Sequence, residues 1–244
     1  MVLLKEFVDN IWVYDGEVVQ WYSLPYTTRM TIVKLASGDL WIHSPAKITE
    51  ALLQELHQLG KPTYLIAPNK IHHLYLPAWQ QQFPEATIYA APGLQAKRPD
   101  IRFCKDLEEQ PEPEWQQDLD QLIFRGSTMM EEVVFFHKIT RTLILTDLIE
   151  NFPRDHFTGY QKLLAQATGI LAPHGQTPLD WRLSYTFQKK LARSSLATIL
   201  TWQPERIIIA HGECIQEQGT DFLRRSFRWL QPELSEVKIA EFSP

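Results

Sequence analysis

PTYLIAPNKIHHLYL, residues 62–76, decides how the rest of the chain is read. PTYLIAP (62–68) is apolar without the alternation of a half-exposed strand, which predicts a strand buried on both faces. Asn69 and two adjacent histidines, His72 and His73, follow at once. Strand ends in α/β proteins are where loops converge on ligands while the backbone is held rigid. The stretch therefore poses a choice. Either it belongs to a metal site, or its histidines are split, one packed and one solvated, because adjacent side chains diverge.

Outward from this point the chain alternates strands and helices. A short helix around 76–83 and a strand at ATIYAAP (86–92) follow. Before it, Ile48, Leu52, Leu56 and Leu59 share one face of a helix over 46–59, with Gly60 where a helix terminates. NIWVYDG (10–16), RMTIVKLA (29–36) and LWIHS (40–44), with a turn at Ser37-Gly38-Asp39, predict antiparallel pairing. In the second half, DQLIFRG (120–126), EEVVFFH (131–137) and RTLILTD (141–147) read as strands. Two helices are expected over 156–168 and 183–201, then a short apolar strand, RIIIAH (206–211), and a closing helix over 217–231. Strand-rich then helix-rich order, repeated, predicts an α/β protein, an αββα sandwich in a single domain over 1–244. A doubly wound open sheet fits less well, because the connections at 37–39 and 138–140 are too short for parallel strands.

Bulk composition narrows the function. The 244 residues carry a net charge of −5, with 44% hydrophobic and 22% charged residues. No basic stripe of the kind a phosphate backbone requires is present, so no nucleic-acid partner is expected. LRRSFR (223–228) reads as the solvated face of a packed helix. No run reaches membrane-spanning length. Lys5, Glu6 and Asp9 interrupt the apolar start, and the two cysteines, Cys104 and Cys214, make no disulfide framework. A cytoplasmic protein acting on a small-molecule substrate or ligand is expected. Oligomeric state has no signature.

Three strand ends carry candidate ligands: His72-His73 after PTYLIAP, Asp147 after RTLILT, and His211-Gly212 after RIIIA. Imidazole nitrogen and carboxylate oxygen suit zinc, iron or manganese. Each has a plain structural alternative. Asp147 and Glu150 have capping-box spacing, and His211 could sit in a turn. His174 lies in a turn-like segment, LAPHGQTP (171–178), and His137 ends an apolar strand whose facing is open. Cys214 is close to His211 in sequence but would have to point back. Trp21, Tyr22 and Tyr26 could line a substrate pocket or cover the core. No G-x-S-x-G elbow and no Gly-rich phosphate loop occurs.

LIAPNKIHHLYL, TLILTD and IIIAHG, in this order, resemble a divergent metallo-β-lactamase-fold protein, and in particular the DUF4336 family, from about residue 6 to 231. The resemblance implies metal-ligand roles for Asp147 and His211, with His72 and His73 standing for part of an H-x-H-x-D-H motif and Asn69 near its first position. The motif's own Asp is missing, and His43 stands where an early Asp is expected. No histidine falls near 126–132, where Glu131 or Glu132 would be the substitute. A dinuclear hydrolase needs about six or more protein ligands, and four are at hand. The expectation is a hydrolase with one divalent metal, zinc first and iron or manganese after it. His72, His73 and His211 would be ligands, with Asp147 a ligand or the base that orients water. Esters, thioesters, lactones and phosphoesters are equally eligible substrates. The runner-up is a non-catalytic binding protein that keeps the fold without metal, its histidines and Asp147 clustered in one polar cleft.

Overall fold

Apolar runs such as PTYLIAP are buried on both faces because each of these strands lies between a layer of helices and a second sheet. The computed structural model describes residues 3–21 and 24–230. The first half contains β1 (Lys5–Val8), β2 (Ile11–Asp15), β3 (Val19–Trp21), β4 (Leu24–Tyr26), β5 (Arg29–Lys34) and β6 (Leu40–His43). It continues through α1 (Glu50–Leu59), β7 (Pro62–Ala67), α2 (Leu76–Gln82), β8 (Thr87–Ala90), α3 (Leu94–Lys97) and β9 (Lys105–Asp106). The second half contains β10 (Leu119–Phe124), β11 (Glu132–His137), β12 (Thr142–Ile144) and α4 (Gly159–Thr168). It ends with α5 (Leu179–Ser184), α6 (Lys189–Thr201), β13 (Arg206–Ile208) and α7 (Gly219–Ser226).

One sheet runs β1-β2-β5-β6-β7-β8-β9 and a second runs β10-β11-β12-β13, with β3 and β4 as a separate hairpin. The pleat assigns side chains to layers at period 2. In β7, Leu65 and Ala67 face α1 and α2, where Leu52, Leu56 and Trp79 wait, while Ile66 faces the other sheet. In β11, Val134 and Phe136 join Trp181, Leu196 and Phe222 of the outer helices, while Val133 and Phe135 face inward. The order is helix, sheet, sheet, helix, as the sequence predicts. Each fully buried Leu, Ile or Phe in these layers contributes about 1.5–3 kcal/mol, an upper bound before chain entropy.

Local chemistry sets several boundaries. Thr49 Oγ1 accepts from the Leu52 amide at 3.2 Å and starts α1 at Glu50. The helix expected over 183–201 is interrupted: Gln188 leaves helical geometry (φ −130°, ψ 30°), so α5 and α6 are separate. Tyr185 is buried at this break and Phe187 is exposed. The helix expected over 217–231 covers Gly219–Ser226, and residue 231 lies outside the described residues. The β3–β4 hairpin is an addition the sequence did not announce. Among the described residues, no helix is long and apolar enough to cross a membrane.

Candidate metal centre

β12 and β13 are parallel neighbours, with Leu143 opposite Ile207 and Ile144 opposite Ile208. Asp147 and His211 each lie three residues beyond the Ile144–Ile208 pair, so they leave the sheet at the same end. β7 belongs to the other sheet, and the Val133 amide reaches across to the Pro68 carbonyl at 2.8 Å. That bond sets the loop carrying Asn69 and His72 over the ends of β12 and β13.

Asn69 is fully buried and orients this loop. Its Oδ1 accepts from the Ile71 and His72 amides at 2.8 and 3.0 Å, an Asx-type turn that settles which histidine faces inward. Its Nδ2 donates to Asp147 Oδ2 at 2.6 Å and Thr146 Oγ1 at 2.9 Å. Gly212 (φ +103°) holds the other side. A Cβ there would collide with the Asn151 carbonyl, so only glycine lets the chain after His211 pass this close.

His72, Asp147 and His211 converge. His211 Nε2 is 2.9 Å from Asp147 Oδ1, His72 Nε2 is 3.1 Å from Asp147 Oδ2, and the two Nε2 atoms are 3.3 Å apart. Both rings are held from behind. His211 Nδ1 donates to the Thr27 carbonyl at 2.6 Å, and His72 Nδ1 is 2.6 Å from Ser44 Oγ. With Nδ1 committed as a donor, a neutral His211 points a bare Nε2 lone pair at a carboxylate oxygen. A positive charge between them, a proton or a metal ion, is what such an arrangement accommodates. Bonds of 2.0–2.1 Å in tetrahedral geometry place ligand atoms roughly 3.3 Å apart. Each observed separation is within a few tenths of an ångström of that edge, the two histidines approaching different Asp147 oxygens, and one ligand atom from each side chain lies within 4.8 Å of the others. Burial works to raise the Asp147 pKa, but the facing His72 and His211 rings outweigh it and hold the carboxyl well below the usual range. Burial opposes a charge on His211, and the bond to Asp147 more than restores it, so its pKa is raised.

His73, expected as a ligand, is placed elsewhere. Its Nδ1 is 2.6 Å from an Arg98 guanidinium nitrogen, and burial with the charges of Arg98 and Lys97 lowers its pKa to about 4. His43 is buried, stacked on Trp41 with ring centroids 5.5 Å apart, and burial with the nearby His72 lowers its pKa to about 3. The polar cleft of the metal-free expectation, with His43, His72, His73, Asp147 and His211 together, is therefore a cluster of three, the one group among the described residues with metal-ligand spacing. Cys214 Sγ lies 3.1 Å from an Arg29 nitrogen, His137 Nδ1 lies 2.8 Å from Thr140 Oγ1, and His174 is exposed. Asp147 caps no helix, since residues 147–150 are not helical.

Glu132 sits behind the centre rather than in it. Its carboxylate accepts from the amides of Thr146 (2.8 Å), Asp147 (2.8 Å) and Leu148 (3.1 Å) and from Asn69 Nδ2 (3.3 Å). Four donors and no acceptor surround it, which suits the ionised form. Burial and the Asp147 charge nevertheless outweigh the bonds from Thr146 and Asp147, so its pKa is raised.

Glu150 went unrecognised from sequence. It is buried, and its Oε2 accepts from the Tyr26 hydroxyl at 3.2 Å. Burial raises its pKa to about 8, with His211 opposing and Asp147 adding to the shift. The Tyr26 ring meets His211 edge-on at 5.1 Å. Tyr22, grouped with Tyr26 in the sequence, lies outside the described residues. The only signal for Glu150 was the D-x-x-E spacing, which also reads as a cap.

Ser44→Ala removes the partner of His72 Nδ1, and loss of such an outer partner weakens metal affinity by roughly 10–100-fold. Competition with a chromophoric chelator measures it; unchanged affinity would show that Ser44 does not orient the ring.

The two sheets, their helical cover and the candidate ligand positions at the ends of β7, β12 and β13 define a protein of the metallo-β-lactamase fold. Solved structures agree. The metallo-β-lactamase from Pontibacter korlensis superposes with a TM-score of 0.64 at 13% identity, covering 94% of this chain and 99% of that one. FIM-1 from Pseudomonas aeruginosa, in its mono-zinc form, gives 0.60 at 11% identity, with 94% and 96% covered. Rubredoxin oxygen:oxidoreductase from Desulfovibrio gigas gives 0.65 at 12% identity, covering 93% of this chain and 61% of that one. Within this fold the chain belongs to the DUF4336 family, a domain of unknown function, whose profile matches residues 8–169. No curated protein matches it in sequence.

Proposed function

We propose that this chain is a metal-dependent hydrolase with a mononuclear centre held by His72, Asp147 and His211. The observation that supports it is the inward convergence of two Nε2 atoms on one carboxylate while both Nδ1 atoms are engaged outside. Zinc suits two imidazoles and a carboxylate best, with iron or manganese next. When bound, the ion would act as a Lewis acid and lower the pKa of water beside it toward neutrality. The chain's own residues do the rest. Thr27 and Ser44 fix the imidazole orientations, Asn69 fixes one Asp147 oxygen, and Glu150 offers a carboxyl whose pKa of about 8 lets it hold or release a proton near neutral pH. Substrates are esters, thioesters, lactones or phosphoesters.

A binding protein without metal is the second reading. It is favoured by one fact: Asp147 already lies within hydrogen-bonding distance of both rings, so a protonated network satisfies itself. Loading the protein with zinc, iron or manganese and assaying a panel of those four substrate classes, with and without chelator, separates the two. Hydrolysis that the chelator abolishes supports the enzyme; no turnover with any loaded metal favours the binding protein. In the same assay His73→Ala should leave metal content and turnover within about twofold of the parent, because its ring faces Arg98. A loss as large as that of a ligand variant would return His73 to the site.

A further inference from the structure

We propose that the surface made by α4, α5 and the start of α6 is a two-fold interface with a second copy of this chain. Trp181, Tyr185, Ala192 and Leu196 point into the core, which turns Leu179, Leu183, Phe187 and Leu191 outward at four-residue spacing, 42–90% exposed. Phe187, at the break between α5 and α6, is the most exposed of them at 90%. Tyr160, Leu163 and Leu164 of α4 and Met129 are exposed on the neighbouring segments. Contacts tie these segments together. Arg182 donates to the Thr168 carbonyl at the end of α4 at 2.7 Å, and the Thr128 amide donates to the Ser184 carbonyl at 3.2 Å.

The area is that of an interface. Eight large side chains at these exposures present on the order of 900 Å², taking roughly 150–250 Å² for each when fully exposed. A monomer's largest apolar patch is about 300–600 Å², whereas a stable interface takes about 800 Å² from each partner.

The order of residues is self-complementary, as a two-fold interface requires. With the turn at 185–188 on the axis and the two copies antiparallel, Leu179 of α5 would meet Leu191 of α6, and Leu183 would meet Phe187, of the second copy. The same operation sets Asp180 against Lys190, twice. Both are exposed, and neither forms an ion pair among the described residues. A partner of unrelated sequence would not require this palindromic arrangement of apolar and charged positions about one residue.

Light scattering on the full chain tests it. The parent should have twice the chain mass at micromolar concentration, and Phe187→Asp should have the mass of one chain with an unchanged melting temperature, since an exposed ring contributes little to the fold. Asp180→Lys should weaken the dimer a few-fold at low salt, and adding Lys190→Asp should restore it. A parent that stays monomeric as concentration rises overturns the proposal, including if it sediments with anionic vesicles through Lys162, Lys189 and Lys190. So does a Phe187→Asp variant that remains dimeric.

Discussion

His211→Ala is expected to remove the bound metal and reduce hydrolysis to background. The ring supplies the Nε2 that lies 2.9 Å from Asp147 Oδ1 and 3.3 Å from His72 Nε2, and nothing among its neighbours can replace it. Glu150 is the nearest alternative donor by chemistry, but its carboxyl is turned to the Tyr26 hydroxyl. Loss of a ligand exceeds loss of an outer partner, so the affinity should fall by more than the roughly 100-fold upper range for Ser44→Ala. The His211 ring also packs against Tyr26 and Phe152, and part of any defect could come from lost packing. Asp147→Asn controls for that, because it keeps shape and removes charge. It should lose metal with a smaller change in melting temperature. Metal retained at the parent level by both variants would contradict the assignment.

Glu132→Ala is expected to destabilise the protein by about 3–5 kcal/mol, in the range reserved for buried groups left without partners. The substitution strands three buried backbone amides, while the Asn69 side chain keeps Asp147 and Thr146 as acceptors. Glu132→Gln retains one carbonyl acceptor and should cost less, roughly 1–3 kcal/mol. Urea unfolding reads both as a lower midpoint at unchanged slope. Because the same carboxylate fixes residues 146–148, metal affinity should fall alongside stability. A loss below about 1 kcal/mol for Glu132→Ala would mean that solvent reaches those amides.

These residues also show where the sequence was legible. The runs PTYLIAP, RTLILT and RIIIA mark buried strands because both faces of each are apolar, and the first polar residue beyond each run marks a strand end. Asp147 and His211 follow from that logic, and the layer order follows from the connections between strands. The choice between His72 and His73 does not, because it depends on the Asn69 turn, which is fixed by Asp147 and Thr146 across 77–78 residues of sequence. Glu132 reads in sequence as a ligand substitute, because its real partners are amides of another strand end. Glu150 is hidden by a spacing shared with helix caps. The break at Gln188 is equally non-local, since burial of Tyr185 among the outer-layer helices, rather than helix propensity, decides it.

The most direct measurement is elemental analysis of protein purified without chelators or immobilised-metal resin. One equivalent of zinc, iron or manganese per chain is the predicted result, matching one ligand atom from each of three side chains within 4.8 Å of one another. Two equivalents, or none after incubation with excess of each ion, would contradict a mononuclear centre at His72, Asp147 and His211.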